Sequence, residues 1–158
     1  MEQKAKENAT ARPVRPAVVD IFVIKDGNVL LIKRASEPFK DEWMLPGGFI
    51  EMDEDATTAA KREAKEETGL DVELMGIIGV YSDPSRDSRG TVSIAYLAIP
   101  LNDILKTQKN ETSETKWYKL DELPKLGCDH EKIVADALSY LSQDSCGGDC
   151  GGSCHECE

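Results

Sequence analysis

Residues 1–11 are charged and polar, with no apolar run that would serve as a secretory signal or membrane span, so cytoplasmic residence without a membrane partner is the default expectation. Basic residues are few. The chain sets 19 Lys and Arg against 30 Asp and Glu, and its net charge of −11 argues against nucleic acid as a partner, because phosphate contacts depend on Lys and Arg. A phosphate-bearing small molecule would need metal bridges and local arginine. Four of the five cysteines fall within the last thirteen residues, which excludes a disulfide framework for the main body. At 158 residues the chain fits one domain with a substantial core, leaving no room for a large second one.

Residues 1–12, rich in Lys, Glu, Gln and Asn, read as a flexible leader, 13–143 as the folded domain, and 144–158 as a Gly/Cys-rich tail. Runs 17–24 and 28–33 are β-rich and are joined at Lys25-Asp26-Gly27-Asn28, whose turn chemistry predicts an antiparallel hairpin. Residues 34–43 read as a loop leading to Pro46-Gly47-Gly48, where glycine permits close backbone approach. A helix capped by Asp53 or Asp55 is expected to reach Glu67 or Thr68 and stop at Gly69. Strands are expected at 71–80, 90–99 and 114–119, a turn or short helix at 121–126, and a last helix near 130–142. Mixed strands with two principal helices predict an α/β sandwich.

The richest stretch is Gly48-Phe-Ile-Glu-Met-Asp-Glu54 followed, after seven residues, by Arg62-Glu63-Ala-Lys-Glu66-Glu67-Thr-Gly69-Leu70. At roughly 3.6 residues per turn, Ala56, Ala59 and Ala60 share an arc of roughly 100° with Glu63, Glu66 and Glu67, while Thr58, Lys61 and Lys65 point away. Three carboxylates therefore continue a face that begins apolar. Like charges at these spacings destabilise a helix by about 0.2–0.5 kcal/mol per pair, so the cluster calls for a cation. Hard oxygen ligands suit Mg²⁺ or Mn²⁺. A solvated acidic face is the alternative, but Lys61 and Lys65 mark the solvent side and favour the metal reading.

These residues resemble, at every fixed position, the Nudix box, written G-x5-E-x7-R-E-U-x-E-E-x-G-U with U aliphatic, Ala64 being smaller than usual. The resemblance to Nudix (MutT-like) hydrolases covers roughly residues 15–142. It implies a mixed β-sheet between helices, with the box as loop–helix–loop, and metal-dependent cleavage of a phosphoanhydride bond. Glu63, Glu66 and Glu67 match the metal-binding glutamates, and the backbone carbonyl of Gly48 matches a further ligand. Arg62 would pair with Glu54 and a neighbouring glutamate and so orient the carboxylates. Such enzymes take the general base from the box or from a downstream loop, which makes Glu66, Glu67 and Glu114 candidates. Glu114 reads equally well as a surface residue at a strand start. Glu111 ranks below it, and Glu51 has at most an auxiliary role.

Substrate choice must come from outside the box, and Tyr81-Ser-Asp-Pro84-Ser-Arg86-Asp87-Ser-Arg89-Gly90 is the candidate loop. Arg86 and Arg89 can contact phosphate or ribose hydroxyls, Asp87 can hold an arginine, and Gly90 can permit the turn; an ordinary hairpin with solvated charges is the alternative. The loop is similar to that of microbial ADP-ribose pyrophosphatases, with Pro84 fifteen residues after Gly69, although Ser88 stands where those relatives often carry proline. That likeness implies a small-molecule nucleotide substrate, ADP-ribose, split into AMP and ribose 5-phosphate, and it admits a homodimer. Nucleoside triphosphate pyrophosphohydrolysis and a non-catalytic nucleotide-sensing module are the competing functions. Asp20, a polar interruption in Val18-Val-Asp-Ile-Phe22, is either a ligand hydrogen-bond acceptor or a paired structural acid. Phe22, Phe39, Trp43 and Tyr81 are each a possible base stacker or a core residue.

In the tail, Cys146, Cys150, Cys154, His155 and Cys157 offer soft ligands for Zn²⁺, but their spacing completes no familiar finger and a flexible, oxidisable tail is the simpler reading. Cys128 and His130 are expected to serve locally at the start of the last helix.

Overall fold

Strand β1 (Ala17–Lys25) is apolar on both sides, which is the pattern of a strand covered twice. Alternation sends Val19, Ile21 and Val23 into one core cluster and Phe22 and Ile24 into another. Asp20 shares the parity of Phe22. In the computed structural model, which describes residues 13–107 and 111–144, β1 lies at the centre of a mixed sheet. The leader and residues 145–158, which carry the tail's cysteines and histidine, lie outside the described residues.

The hairpin to β2 (Asn28–Arg34) turns through Asp26 and Gly27, both at positive φ (50° and 73°), and its antiparallel register pairs Ile24 with Val29. On its other side β1 runs parallel to β6 (Val92–Pro100), pairing Val19 with Ile94. Strand β5 (Val72–Tyr81) closes that edge antiparallel to β6, and β7 (Thr112–Lys119) lies antiparallel to β2. Two short strands interrupt the stretch read as a loop and glycine turn: β3 (Trp43–Met44) pairs with β2, and β4 (Gly47–Phe49) pairs with β1. Two and three residues are too short to show a period of two. At 121–126 the chain forms the turn, not the helix, of the two forms expected, with the Glu122 N–H donating to the Lys119 carbonyl at 3.0 Å.

Helix α1 (Ala56–Thr68) begins where Asp55 accepts the Thr58 N–H at 2.7 Å, and it packs Ala59, Ala60 and Ala64 on Val19, Ile21 and Val23. Ala64 is fully buried there. Helix α2 (His130–Asp144), one residue longer than the predicted domain, covers Phe22 with Ile133, Val134 and Ala137. The sheet is thus sandwiched between two helices. Among the described residues no helix is long and apolar enough to cross a membrane.

The α1 stop is set by Gly69, at φ 78°, whose N–H donates to the Lys65 carbonyl at 2.9 Å. An added Cβ would meet Lys106 at 2.9 Å. Gly69→Ala is therefore expected to cost about 1–2 kcal/mol of stability for the left-handed backbone alone, read by urea unfolding; an unchanged midpoint would reject this account.

Candidate active site

The box helix places its acids at three depths. Glu67 is 4 % exposed and Glu63 8 %, both continuing the buried alanine face, whereas the Glu66 side chain is 51 % exposed at the rim. The expectation of three carboxylates on one buried face is corrected to two inside and one at the edge, because Glu66 lies on the far side of the arc. Glu63 packs directly against Gly48, where any Cβ would collide with its carboxylate. Glu67 accepts the Gly47 N–H at 2.9 Å.

Arg62 ties these parts together. Its Nε and Nη2 donate to the two oxygens of Glu54 at 3.0 and 2.6 Å, its Nη1 to Glu63 at 2.8 Å and Glu66 at 3.2 Å, and its Nη2 also to the Phe49 carbonyl at 3.0 Å. The bidentate fork on Glu54 draws that carboxylate's pKa down. Glu63 moves the other way, because burial outweighs Arg62. Burial also pushes Glu67 up to about 8, against the single Gly47 N–H that favours its ionised form. Two buried acids that resist ionisation, beside a glycine that leaves them room, form an oxygen donor set short of positive charge. That chemistry fits a divalent cation.

Glu67 lies behind Gly47, while Glu63 and Glu66 open on a cleft of ≈ 540 Å³, a size suited to a small ligand. Arg86, Asp87, Arg89 and Asp20 also line it, but in different roles. Arg86 is not extended toward solvent: its guanidinium, 2 % exposed, donates to Asp129 at 2.7 and 2.8 Å, to Thr91 at 2.8 Å and to Asp20 at 3.4 Å. Asp20 is likewise a paired buried acid, accepting from Ser93 Oγ at 2.5 Å and facing His130 Nε2 at 3.4 Å. Asp87 grips Arg89 through Nε and Nη2 at 2.9 and 2.6 Å, which holds the Arg89 guanidinium 5.2 Å from the Phe49 ring centre. Arg89 keeps a third of its side chain exposed.

Glu114 does not join the cleft. It stands opposite Lys33 in the β2–β7 register, and that face is opposite to the one from which Ile32 and Arg34 line the cleft. A bulge after Lys33 brings Glu111 to the cleft instead, close enough for its charge to raise the pKa values of Glu63 and Glu67. Sequence reasoning also passed over Arg34, whose charge acts on Glu67, and Phe49, which is 44 % exposed beside Arg89. The period-2 parity of β2 was the available signal for Arg34. Among the proposed stackers, Phe22 and Tyr81 are core residues, and Trp43 packs edge-on against Tyr118 at 5.0 Å.

Cys128, Asp129 and His130 bring ligand atoms within 4.8 Å of one another, yet each is already committed. Burial pushes the Cys128 thiol up to about 12, Asp129 holds Arg86, and His130 Nδ1 accepts the Leu45 N–H. A thiol kept protonated is a poor metal ligand.

The NUDIX domain family model matches residues 14–137. An ADP-ribose pyrophosphatase of Methanocaldococcus jannaschii is 43 % identical over 129 residues, covering 80 % of this chain and 76 % of that protein. A MutT-like protein of Streptomyces ambofaciens is 34 % identical over 118 residues, 74 % of this chain and 72 % of that one. Among solved structures, the NUDIX domain of Shewanella oneidensis NrtR complexed with ADP ribose superposes with a TM-score of 0.71 at 28 % identity, covering 87 % of this chain and 95 % of that chain. With the box geometry, the fold and these matches in agreement, the chain belongs to the Nudix hydrolase family.

Proposed function

We propose that this Nudix hydrolase uses Mg²⁺ to split ADP-ribose into AMP and ribose 5-phosphate. The observation that carries the reading is one cleft lined by Glu63 and Glu66, with Glu67 held behind Gly47, and by the Phe49–Arg89 pair. The 43 % identity to an ADP-ribose pyrophosphatase supports the substrate. Mn²⁺ is expected to substitute, since the donors are all hard oxygens.

Glu63, Glu66, Glu67 and the Gly48 carbonyl would hold the cation, which when bound supplies charge neutralisation at the phosphoryl oxygens and acidifies water. Arg62 keeps the Glu54, Glu63 and Glu66 carboxylates in fixed orientations, so little reorganisation is needed at the moment of reaction. Arg89 and Arg34 both line the cleft and would bind the diphosphate, while Asp87 sets the direction of Arg89 and Phe49 would offer a flat apolar surface to the group beyond it. Arg86 and Asp20 act indirectly by fixing the loop that carries Arg89. Proton removal from the attacking water falls to Glu66 or Glu111, the two exposed acids on the cleft whose charges act on Glu63.

The test is cleavage of ADP-ribose beside a panel of nucleoside triphosphates with Mg²⁺, products resolved by chromatography. AMP and ribose 5-phosphate are expected. Pyrophosphate from triphosphates alone would reject the substrate, and inactivity throughout would favour a nucleotide-sensing module. In the same assay Arg89→Ala should raise KM about tenfold, the loss of one charge-assisted phosphate contact. An unchanged KM would remove Arg89 from the substrate site.

A further inference from the structure

Leu45, 2 % exposed, lies between β3 and β4, and its N–H donates not to a neighbouring strand but to His130 Nδ1 at 2.9 Å. From this geometry we infer that His130 is a positioning residue for the cation-binding turn: α2 sets the place of Leu45–Gly48, and with it the Gly48 carbonyl, through one imidazole nitrogen. The inference rests on reading the Glu63–Glu67 cleft as a divalent-cation site.

An Nδ1 that accepts a hydrogen bond carries no hydrogen, so the ring's proton is on Nε2. Nε2 faces Asp20 Oδ1 at 3.4 Å, and the other Asp20 oxygen is held by Ser93 and Arg86. Asp20 therefore selects the tautomer that Leu45 requires. The ring is 2 % exposed, and its burial lowers its pKa, in keeping with a neutral imidazole.

The other anchors of the turn lie on β1, where Gly47 and Gly48 pair with Asp20 and Val19, and His130 alone takes the Leu45 N–H. Pro46 has no N–H to give, and its carbonyl accepts the Ile21 N–H at 2.8 Å. The Gly47 N–H donates to Glu67, one of the acids assigned to the cation. A Cβ on Gly47 would run into the Val19 carbonyl, so the turn is seated tightly against β1 and a small displacement cannot be absorbed there. Without His130, the buried Leu45 N–H has no acceptor and is driven to shift toward one.

The two ring nitrogens can be tested separately. Asn places its oxygen near the Nδ1 position and keeps the Leu45 contact, whereas Gln reaches toward Asp20 and abandons Leu45. His130→Asn should bind Mn²⁺, followed by the electron paramagnetic resonance of the free ion, within about twofold of wild type; His130→Gln should bind it at least about fivefold more weakly. The same order is expected in kcat, with KM for ADP-ribose little changed, because the substrate lip on Arg89 is not touched. In wild type, long-range ¹H–¹⁵N correlations should show the Nε2–H tautomer of His130, a measurement that needs no variant to fold. An Nδ1–H tautomer, or Mn²⁺ binding by His130→Gln as tight as wild type, would overturn the inference. Wild type that binds Mn²⁺ in this pattern but leaves ADP-ribose intact would overturn the substrate alone, and wild type that binds no Mn²⁺ would overturn the cation site together with the inference.

Discussion

Glu67→Gln is expected to lower kcat on ADP-ribose by at least about 10³-fold while leaving the cation-free protein as stable as wild type at about pH 4 and increasingly more stable than wild type as pH rises to about 9. The two halves have one origin. Glu67 is 4 % exposed with the Gly47 N–H as its donor, and burial raises its pKa from an ordinary 4.5 to about 8. The native state therefore binds a proton that the unfolded chain has released over that interval. By linkage, stability is full below about 4.5, declines as pH rises, and reaches its floor once pH has passed about 8. Glu63, also raised by burial, adds in the same direction. Glutamine keeps the carbonyl that accepts from Gly47 and cannot ionise, so it flattens the decline. A cation favours ionised Glu67, so the gain in Tm on adding Mg²⁺ should grow from pH 6 to pH 9 in wild type and shrink at both in Glu67→Gln. Thermal melts with EDTA or Mg²⁺ across this range read all of it. A variant that stays active, or a wild-type Tm that climbs between pH 5 and 8, would sink the assignment.

Arg86→Met is expected to be the most destabilising single change on the cleft wall, at about 3–5 kcal/mol, despite the similar length and apolar stem of methionine. The guanidinium is 2 % exposed and is shared by two acids, Asp129 from the start of α2 and Asp20 from β1. Its removal leaves both carboxylates without their cation in a place that water reaches poorly. Arg89→Met, three residues along, should cost less, about 1–2 kcal/mol, since it frees only one buried acid, Asp87, which keeps the residue-89 N–H and the Thr91 hydroxyl. Denaturant midpoints of the two variants give the contrast directly. Equal midpoints would mean that the loop is not pinned through Arg86.

That pair also shows where reading from sequence ran out. Both arginines sit in one polar loop with the same turn chemistry, and their separation into an internal tie and an outward hand depends on Asp129, 43 residues away in the chain. The box was legible because its signal is periodic: spacing alone put Glu63 and Glu67 on the alanine face and Lys61 and Lys65 outside. Spacing could not distinguish Glu66 from its neighbours, since a position at the edge of an arc is decided by how far the sheet extends beneath it. Glu114 pairs with Lys33 on the face away from the cleft, and the bulge just beyond it lets Glu111 reach the cleft, which no local residue announces. The β1–β2 hairpin was plain from Asp26-Gly27, whereas β3 and β4 exist only because the chain on either side of Leu45 is pressed onto β2 and β1.

The parallel pairing of β1 with β6 sets the order in which a growing chain can become an enzyme. Val19 meets Ile94, and Leu45 meets His130 across 85 residues, so both wait for sequence far downstream. When the box helix leaves the ribosome, the edge of β1 that receives β6 and the histidine that holds the turn have yet to be made. The acidic face of α1 then has no finished pocket to enter. Cation binding is therefore a late event in synthesis, and a chain halted before α2 would carry the complete box motif without the arrangement that gives the motif its use.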